Sequence, residues 1–224
     1  MTPDPNSPTA LRITDQLTAA GAAIEQESFA IIDREVGQHS YPAHEWQIVR
    51  RMIHASADFE MNGLVHFHPQ AVATAVAALQ RGAPIVVDVE MIRVGLSQPR
   101  LAHFGVTVHE FIANPEVIAA AKAANTTRAI MAMRHAHEQG LLNGAIVAIG
   151  NAPTALLELV RLMTTADARP AVVLGMPVGF VSAAEAKEAL IAADLVPWIV
   201  VRGRKGGSTL VVAALHALMA LAER

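Results

Sequence analysis

Short runs of β-branched residues alternate along this chain with alanine-rich stretches of helical spacing, and this alternation limits the possible folds more than any other feature. The strand-like runs lie at 83–89, 106–108, 145–149, 171–174 and 198–201. The helical patterns among and after them lie at 115–124, 127–138, 153–163, 182–192 and 208–222. Strands that alternate with helices form βαβ units. We therefore predict an α/β fold with a mainly parallel sheet flanked by helices, in a Rossmann-like three-layer arrangement.

Further helical patterns come before or beside the first clear strand. They cover 9–35, about 43–61 and the stretch from Pro69 to near Gly82. In the last of these the proline suits a first helical turn and the glycine suits a helix end. Ser182 and Glu185 have the spacing of a capping box, which predicts a helix start at that point. N-terminal helices are thus expected to precede the sheet.

The first nine residues are polar and contain several prolines. They have neither the basic region nor the apolar region of a signal peptide, so we expect a flexible tail over 1–9. No stretch of linker composition divides the remainder, which predicts a single domain over 10–224.

The composition excludes several classes of partner. Apolar residues make up 53% of the chain and charged residues 17%, which indicates a large core or a broad apolar surface that meets a partner. The formal net charge is −3, so nucleic acid is not an expected partner. The absence of cysteine excludes disulfides, thiolate metal sites and a cysteine nucleophile, and it fits a cytoplasmic location. Uncharged runs at 141–157 and 206–221 contain glycine and polar residues, so no membrane span is expected.

Loops that leave the carboxyl ends of parallel strands line the ligand crevice of such a sheet, so the residues after each strand deserve most weight. The loop GNAPT at 150–154 offers the amide of Asn151. The loop GMPVGF begins with Gly175 and Met176, and its apolar character suits a flat, apolar ligand.

A third loop, VRGRKGGS at 201–208, combines Arg202, Arg204 and Lys205 with several glycines before a helix N-terminus. Cations, backbone amides and a helix dipole together favour an anion site, although a solvated basic turn has the same composition. The loop lacks the spacing of a Walker A motif, and no dinucleotide-binding fingerprint follows the first strand.

His54 is the candidate for proton transfer. Arg50, His54 and Asp58 form an i, i+4, i+8 row along the edge of an apolar helix face, where a half-buried imidazole can act as an acid. The alternative interpretation is a surface ion row. Asp88 and Glu90 follow a strand with i, i+2 spacing, and they could orient another side chain or cap the next helix. We predict no metal site, because the histidine spacings imply no complete ligand set.

Six stretches together resemble one protein family. They are ESFAII from Glu27, RMIHA from Arg51, GAPI from Gly82, GNAPTAL from Gly150, LGMPVGFV from Leu174 and VRGRKGGS from Val201. The chain is similar through them to precorrin-8X methylmutases and their cobalt-precorrin-8 counterparts, from about Ile24 to the last helix.

The resemblance implies an isomerase of cobalamin biosynthesis that needs no cofactor. Its reaction would be a [1,5]-sigmatropic methyl shift from C-11 to C-12 of precorrin-8X, giving hydrogenobyrinate, or the equivalent shift on cobalt-precorrin-8. The acid of the family falls on His54, which would protonate the nitrogen of ring C and take the proton back. An imidazole titrates near neutrality and can do both.

The resemblance also implies the substrate contacts and the oligomeric state. Ser28 matches a substrate-contacting serine, and Arg128 matches an arginine near the substrate carboxylates. Those carboxylate arms would give the cations of the 201–208 loop natural partners, while the loops that carry Asn151, Gly175 and Met176 would form the wall against the ring. Members of the family form homodimers with sites near the interface. An α/β protein that binds a phosphorylated metabolite and a non-catalytic corrinoid carrier are the alternatives.

Overall fold

The computed structural model describes Ile13, Asp15, Gln16 and residues 18–223. The predicted tail at 1–9 lies outside the described residues. The prediction that 10–224 form one domain stays a prediction.

Within the described residues, one mixed sheet forms the centre of the fold. Its strands are β1 Val65–Phe67, β2 Ile85–Val87, β3 Val108–Glu110, β4 Ile146–Ile149, β5 Val172–Gly175 and β6 Trp198–Val201. Their order across the sheet is β1-β6-β5-β4-β2-β3. Neighbouring strands are parallel except for β1, which pairs antiparallel with β6. The predicted α/β class with a mainly parallel sheet is therefore confirmed.

Helices cover both faces of the sheet. They are α1 Ala19–Glu35, α2 Ala43–Ser56, α3 Met61–Leu64, α4 Ala71–Gln80, α5 Glu90–Gly95, α6 Gln98–Phe104, α7 Pro115–Ala123, α8 Arg128–Glu138, α9 Pro153–Thr165, α10 Ala183–Ala193 and α11 Ser208–Ala222. As predicted, α1 and α2 precede the first strand. One core cluster joins α1, α2, α4, α5, α6 and α11 to the sheet, and the other joins α8, α9 and α10 to its opposite face. Residues on β4 and β5 are buried throughout, as expected of strands covered on both sides.

The structure corrects several predicted elements. The helix that was predicted to run to about residue 61 ends at Ser56, because Ala57 adopts a left-handed conformation with φ 51°. Helix α10 begins directly after Ser182 as predicted, but the capping box does not form, since Ser182 has φ 60° and its side chain makes no capping hydrogen bond. Strand β1 and the short helices α5 and α6 were not predicted. They are too short for a periodic pattern to stand out.

The topology places a crevice at the carboxyl edge of the sheet. Strand β2 leads into α5 on one face, whereas its neighbour β4 leads into α9 on the other. Adjacent strands whose connections diverge in this way open a ligand crevice between their loops. Because β1 is antiparallel to β6, the segment between α2 and β1 reaches this same edge, where the N–H of Arg202 donates to the carbonyl of Leu64 at 2.8 Å.

Candidate active site

His54 lies in the last turn of α2 and contacts α1 through a hydrogen bond. Its Nδ1 is 2.7 Å from the Oγ of Ser28. The edge of the Phe29 ring faces the imidazole, with the ring centroids 5.4 Å apart. Since Nδ1 is bound to Ser28, Nε2 is the nitrogen through which the ring can reach a ligand. A hydroxyl can donate or accept, so the Ser28 contact is compatible with the neutral and the protonated imidazole.

Ion pairs between α1 and α2 hold Ser28 beside His54. Arg50 Nη1 lies 2.6 Å from Asp33 Oδ2, and Arg51 Nη2 lies 2.8 Å from Glu25 Oε1. The guanidinium of Arg50 also lies 4.5 Å from the centroid of the Phe29 ring. Arg50 therefore pairs across the helices, and Asp58 lies beyond the end of α2, so Arg50, His54 and Asp58 form no ion row along one helix. The imidazole of His54 is exposed and not half-buried as predicted.

A cavity of about 390 Å³ opens beside this pair. It is lined by Ile24, Glu27, Ser28, Ile31, Ile32, Glu35, Ile53, His54, Ala57 and Phe59. Six of these ten residues are apolar, and the polar groups are the imidazole, the serine hydroxyl and the carboxylates of Glu27 and Glu35. A second cavity of about 350 Å³ lies on the other side of the end of α2, against the 205–210 segment. The end of α2 thus forms a ridge between two hollows.

The predicted cations of the 201–208 loop point in different directions. Lys205 Nζ lies 2.5 Å from Asp58 Oδ2 and 2.9 Å from Glu60 Oε2, just beyond the end of α2. This hydrogen bond from Lys205 lowers the pKa of Asp58. Arg202 forms a bidentate pair with Glu188 on α10, at 2.8 and 2.7 Å. Their carboxylate partners could not be found by sequence spacing, because they lie on distant segments.

Arg204 differs from Arg202 and Lys205, since it forms no salt bridge among the described residues and its guanidinium lies 5.5 Å from the centroid of the Phe180 ring. Phe180 is 85% exposed and Val181 is 82% exposed, so the end of the GMPVGF loop and the residue after it present an apolar surface to solvent next to this cation. Sequence reasoning identified the apolar loop, but it did not show which of its side chains face outward.

Gly175 and Met176 shape this loop from inside the fold. A Cβ on Gly175 would lie 2.9 Å from Leu190 Cδ2, so the glycine allows β5 to pack closely against α10. Met176 is fully buried, and its carbonyl accepts a hydrogen bond from the N–H of Gly207 at 2.8 Å. The apolar GMPVGF loop and the basic 201–208 loop are therefore joined through their backbones.

Asn151 and Arg128 lie on the other side of the crevice. Both are exposed, and the hydroxyls of Thr127 and Thr154 link their segments at 3.2 Å. Arg128 is the first residue of α8, and its Nη1 donates to the carbonyl of Ile112 at 3.4 Å. The structure thus joins the segments that carry these two residues.

The two unassigned carboxylates have different environments. Asp88 is buried at the end of β2 and accepts hydrogen bonds from backbone N–H groups of the GNAPT loop. Glu90 is exposed and pairs with Arg93 one turn later on α5. Neither carboxylate does what the sequence suggested, because Asp88 binds backbone N–H groups and not another side chain, and Glu90 pairs with Arg93 without capping α5.

Lys187 was not singled out by its sequence context. This residue of α10 is fully buried, and its Nζ donates to the carbonyl of Lys205 at 2.8 Å. Burial lowers the pKa of Lys187 to about 8. Its charge therefore supports the basic loop from behind.

The pH dependence of the free energy of unfolding should reveal the buried ammonium group of Lys187. Between pH 8 and about 10.4, the ordinary pKa of lysine, the unfolded chain holds a proton that the folded chain has lost, so the contribution of Lys187 to stability rises with pH. We expect the free energy of unfolding of the wild type, measured against Lys187→Met by urea denaturation, to rise by about 2 kcal/mol from pH 7 to 10. The exposed Lys122→Met variant is the control and should show no such pH-dependent difference. A constant difference between wild type and Lys187→Met would contradict the prediction.

No group of three or more histidine, aspartate or glutamate side chains with the geometry of a metal site occurs in the part of the chain that the structure describes. Among the same residues, no helix is long and apolar enough to cross a membrane.

Comparison with known proteins identifies the family. The model of the precorrin-8X methylmutase family matches residues 23–221. A cobalt-precorrin-8 methylmutase of Leptospira interrogans is 47% identical in an alignment of 214 positions that covers 93% of this chain and 97% of that protein. A precorrin-8X methylmutase of a Sinorhizobium species is 42% identical and covers 88% of this chain and 93% of its own length.

A solved structure shows the same fold. The crystal structure of precorrin-8X methylmutase from Thermus thermophilus superposes with a TM-score of 0.83 at 56% identity, covering 89% of this chain and 97% of that one. The chain therefore belongs to the precorrin-8X methylmutase family of isomerases in cobalamin biosynthesis.

Proposed function

We propose that this protein moves a methyl group from C-11 to C-12 of precorrin-8X or cobalt-precorrin-8, with His54 as the proton donor and acceptor. The observation that carries the proposal is the His54–Ser28 pair at 2.7 Å in the wall of a largely apolar cavity. An acid that must return its proton needs a group that titrates near neutrality and keeps one orientation in both states.

The site residues have separate roles in the methyl shift. His54 Nε2 gives a proton to the nitrogen of ring C, which draws electron density from the conjugated system and lowers the barrier to migration. The methyl group then shifts within the same molecule, and the proton returns to Nε2. Ser28 accepts the Nδ1–H bond throughout and so keeps the ring in one tautomer. No atom is gained or lost overall, as an isomerisation requires.

The remaining site residues bind the macrocycle. Arg128 and Arg204 are exposed, and neither has a carboxylate partner within 4 Å among the described residues, so both suit the acetate and propionate arms of the substrate. Asn151 supplies an amide on the same side as Arg128. Phe180 offers an apolar surface to the ring face.

The paired cations and the buried loop residues have supporting parts in this proposal. Lys205 and Arg202 already bind carboxylates of the protein, so each can bind a substrate arm only alongside that carboxylate or in its place. Gly175 and Met176 hold the wall in place from behind. This arrangement disfavours a phosphate cradle in the 201–208 loop, because carboxylates already occupy two of its cations.

We also propose a homodimer. Ile24 is 68% exposed and Ile31 is 36% exposed on α1, at the rim of the His54 cavity. A second copy that covered them would remove apolar surface from water and enclose the cavity.

The function is tested by mixing the purified protein with metal-free precorrin-8X and, separately, with cobalt-precorrin-8. We expect the absorption spectrum of at least one substrate to change to that of the hydrogenobyrinate-type product. Binding of both compounds without conversion of either would identify a corrinoid carrier instead. Failure to bind either compound would reject the proposal altogether.

A further inference from the structure

Asp88 makes an unusual set of contacts at the point where β2 and β4 diverge. Its carboxyl group is 1% exposed. Oδ1 accepts from the N–H of Gly150 at 3.0 Å, and Oδ2 accepts from the N–H groups of Asn151 at 2.9 Å and Ala152 at 2.7 Å. One carboxylate thus binds three successive amides of a loop more than sixty residues away along the chain.

These contacts satisfy a buried carboxyl group that forms no salt bridge among the described residues. Burial raises the pKa of the Asp88 carboxyl, while the three N–H donors oppose that shift by favouring the ionised form. A buried carboxylate costs free energy unless its hydrogen bonds replace those of water. An apolar side chain at this position would leave the buried N–H of Gly150 without a partner.

The loop that Asp88 binds is fixed on its other side as well. A Cβ on Gly150 would lie 2.9 Å from both the N and the Cα of Ser208, at the start of α11. The loop is therefore wedged between the carboxylate and that helix, and the side chain of Asn151 is left exposed in the crevice. The hydrogen bond between Thr154 and Thr127 links the loop to the start of α8, so the position of the loop affects the position of that helix end.

From this geometry we infer that Asp88 is a positioning residue of the substrate site. By holding the amides of 150–152, it sets the place of the Asn151 side chain, and through Thr154 and Thr127 it sets the place of Arg128. Asp88 does not touch the substrate itself. The inference deepens the proposed function and rests on it, since Asn151 and Arg128 matter only if a carboxylate-bearing ligand binds there.

The test combines Asp88→Asn with Asn151→Ala in a double-mutant cycle. Hydrogenobyrinate is titrated into each variant and followed by absorption, and KM and kcat are measured for turnover. An asparagine of the same shape cannot accept from all three amides and places an NH₂ group against them. We expect Asp88→Asn to raise the Kd of the product and the KM by about tenfold with a smaller change in kcat. In the wild-type background, Asn151→Ala should raise the Kd of the product. In the Asp88→Asn background the same change should raise this Kd by less than about twofold, because the two residues act as a unit.

Glu158→Gln is the matched control. Glu158 is also a largely buried carboxylate, but it binds Arg134 and Arg161 on helix surfaces away from the crevice loops. This variant should lower the thermal midpoint and leave the Kd of the product unchanged. If Asp88→Asn does not fold, Asp88→Glu keeps the charge and displaces the loop, and the same cycle is run with it.

Additive effects of the Asp88 and Asn151 changes would overturn the inference, as would a product Kd that Asp88→Asn leaves unchanged. The wild-type protein in the same assay separates the two proposals. If it fails to turn over precorrin-8X or cobalt-precorrin-8, the proposed function fails. If it turns over and the cycle is additive, only the role of Asp88 fails.

Discussion

His54→Ala is expected to bind the corrinoid product with nearly the wild-type Kd and to lose isomerisation. The cavity wall remains when the imidazole is removed, but the proton that activates ring C has no donor. Loss of a positioned acid–base group lowers kcat by about 100- to 10,000-fold. Single-turnover absorption measurements, together with a product titration on the same samples, separate the chemical step from binding.

The matched control for this variant is His44→Ala. His44 lies on the first turn of the same helix and is exposed, so its loss tests the effect of removing a histidine from α2 without touching the cavity. It should retain wild-type kcat and Kd. A His54→Ala protein with full activity would contradict the assigned role.

Gly206→Ala is expected to separate the two loops that form the apolar and basic wall. A Cβ at this position would lie 2.2 Å from the carbonyl oxygen of Met176 and 2.8 Å from that of Pro177. Both contacts are to backbone, so neither can be relieved by rotating a side chain. We expect the variant to lose about 3 kcal/mol of unfolding free energy through overpacking. We also expect it to bind hydrogenobyrinate at least about tenfold more weakly, because Lys205 and Arg204 move with the loop.

Gly203→Ala is the control within the same loop. Gly203 also has a positive φ, at 74°, but nothing lies within 4 Å of its added Cβ, so we expect only the conformational cost of about 1 kcal/mol. Urea denaturation and product titration of the two variants give the comparison. Equal losses of stability would show that the Met176 contact has no special part.

Much of the fold follows from local patterns in the sequence. The apolar runs of β4, β5 and β6 and the helices that follow them each carry their own signal, because a strand covered on both faces must be apolar throughout. The same patterns placed the crevice loops at the carboxyl edge. Strand β1 was not predicted, because its three residues include the polar His66 and because it pairs with β6, which is distant along the chain.

The site was less predictable, because its important contacts join distant segments. The sequence suggested His54 through its helix position and the resemblance, and Ser28 through the resemblance alone. Their separation of 26 residues gives no hint of a hydrogen bond. Likewise, Lys205 binds Asp58 across 147 residues. The role of Asp88 depends on amides that become neighbours only when β2 pairs with β4. Spacing can identify candidate side chains, but which of them meet is decided by the order of strands in the sheet.

The most direct test of the proposed reaction follows the methyl group itself. Precorrin-8X carrying ¹³C in the C-11 methyl is incubated with the purified protein, and the product is examined by NMR, with the His54→Ala variant in parallel. The proposal predicts that the labelled carbon appears on C-12 with the wild type and stays on C-11 with the variant. A label that remains on C-11 with the wild-type protein, for the metal-free and the cobalt-bearing substrate alike, would contradict the proposed methyl shift.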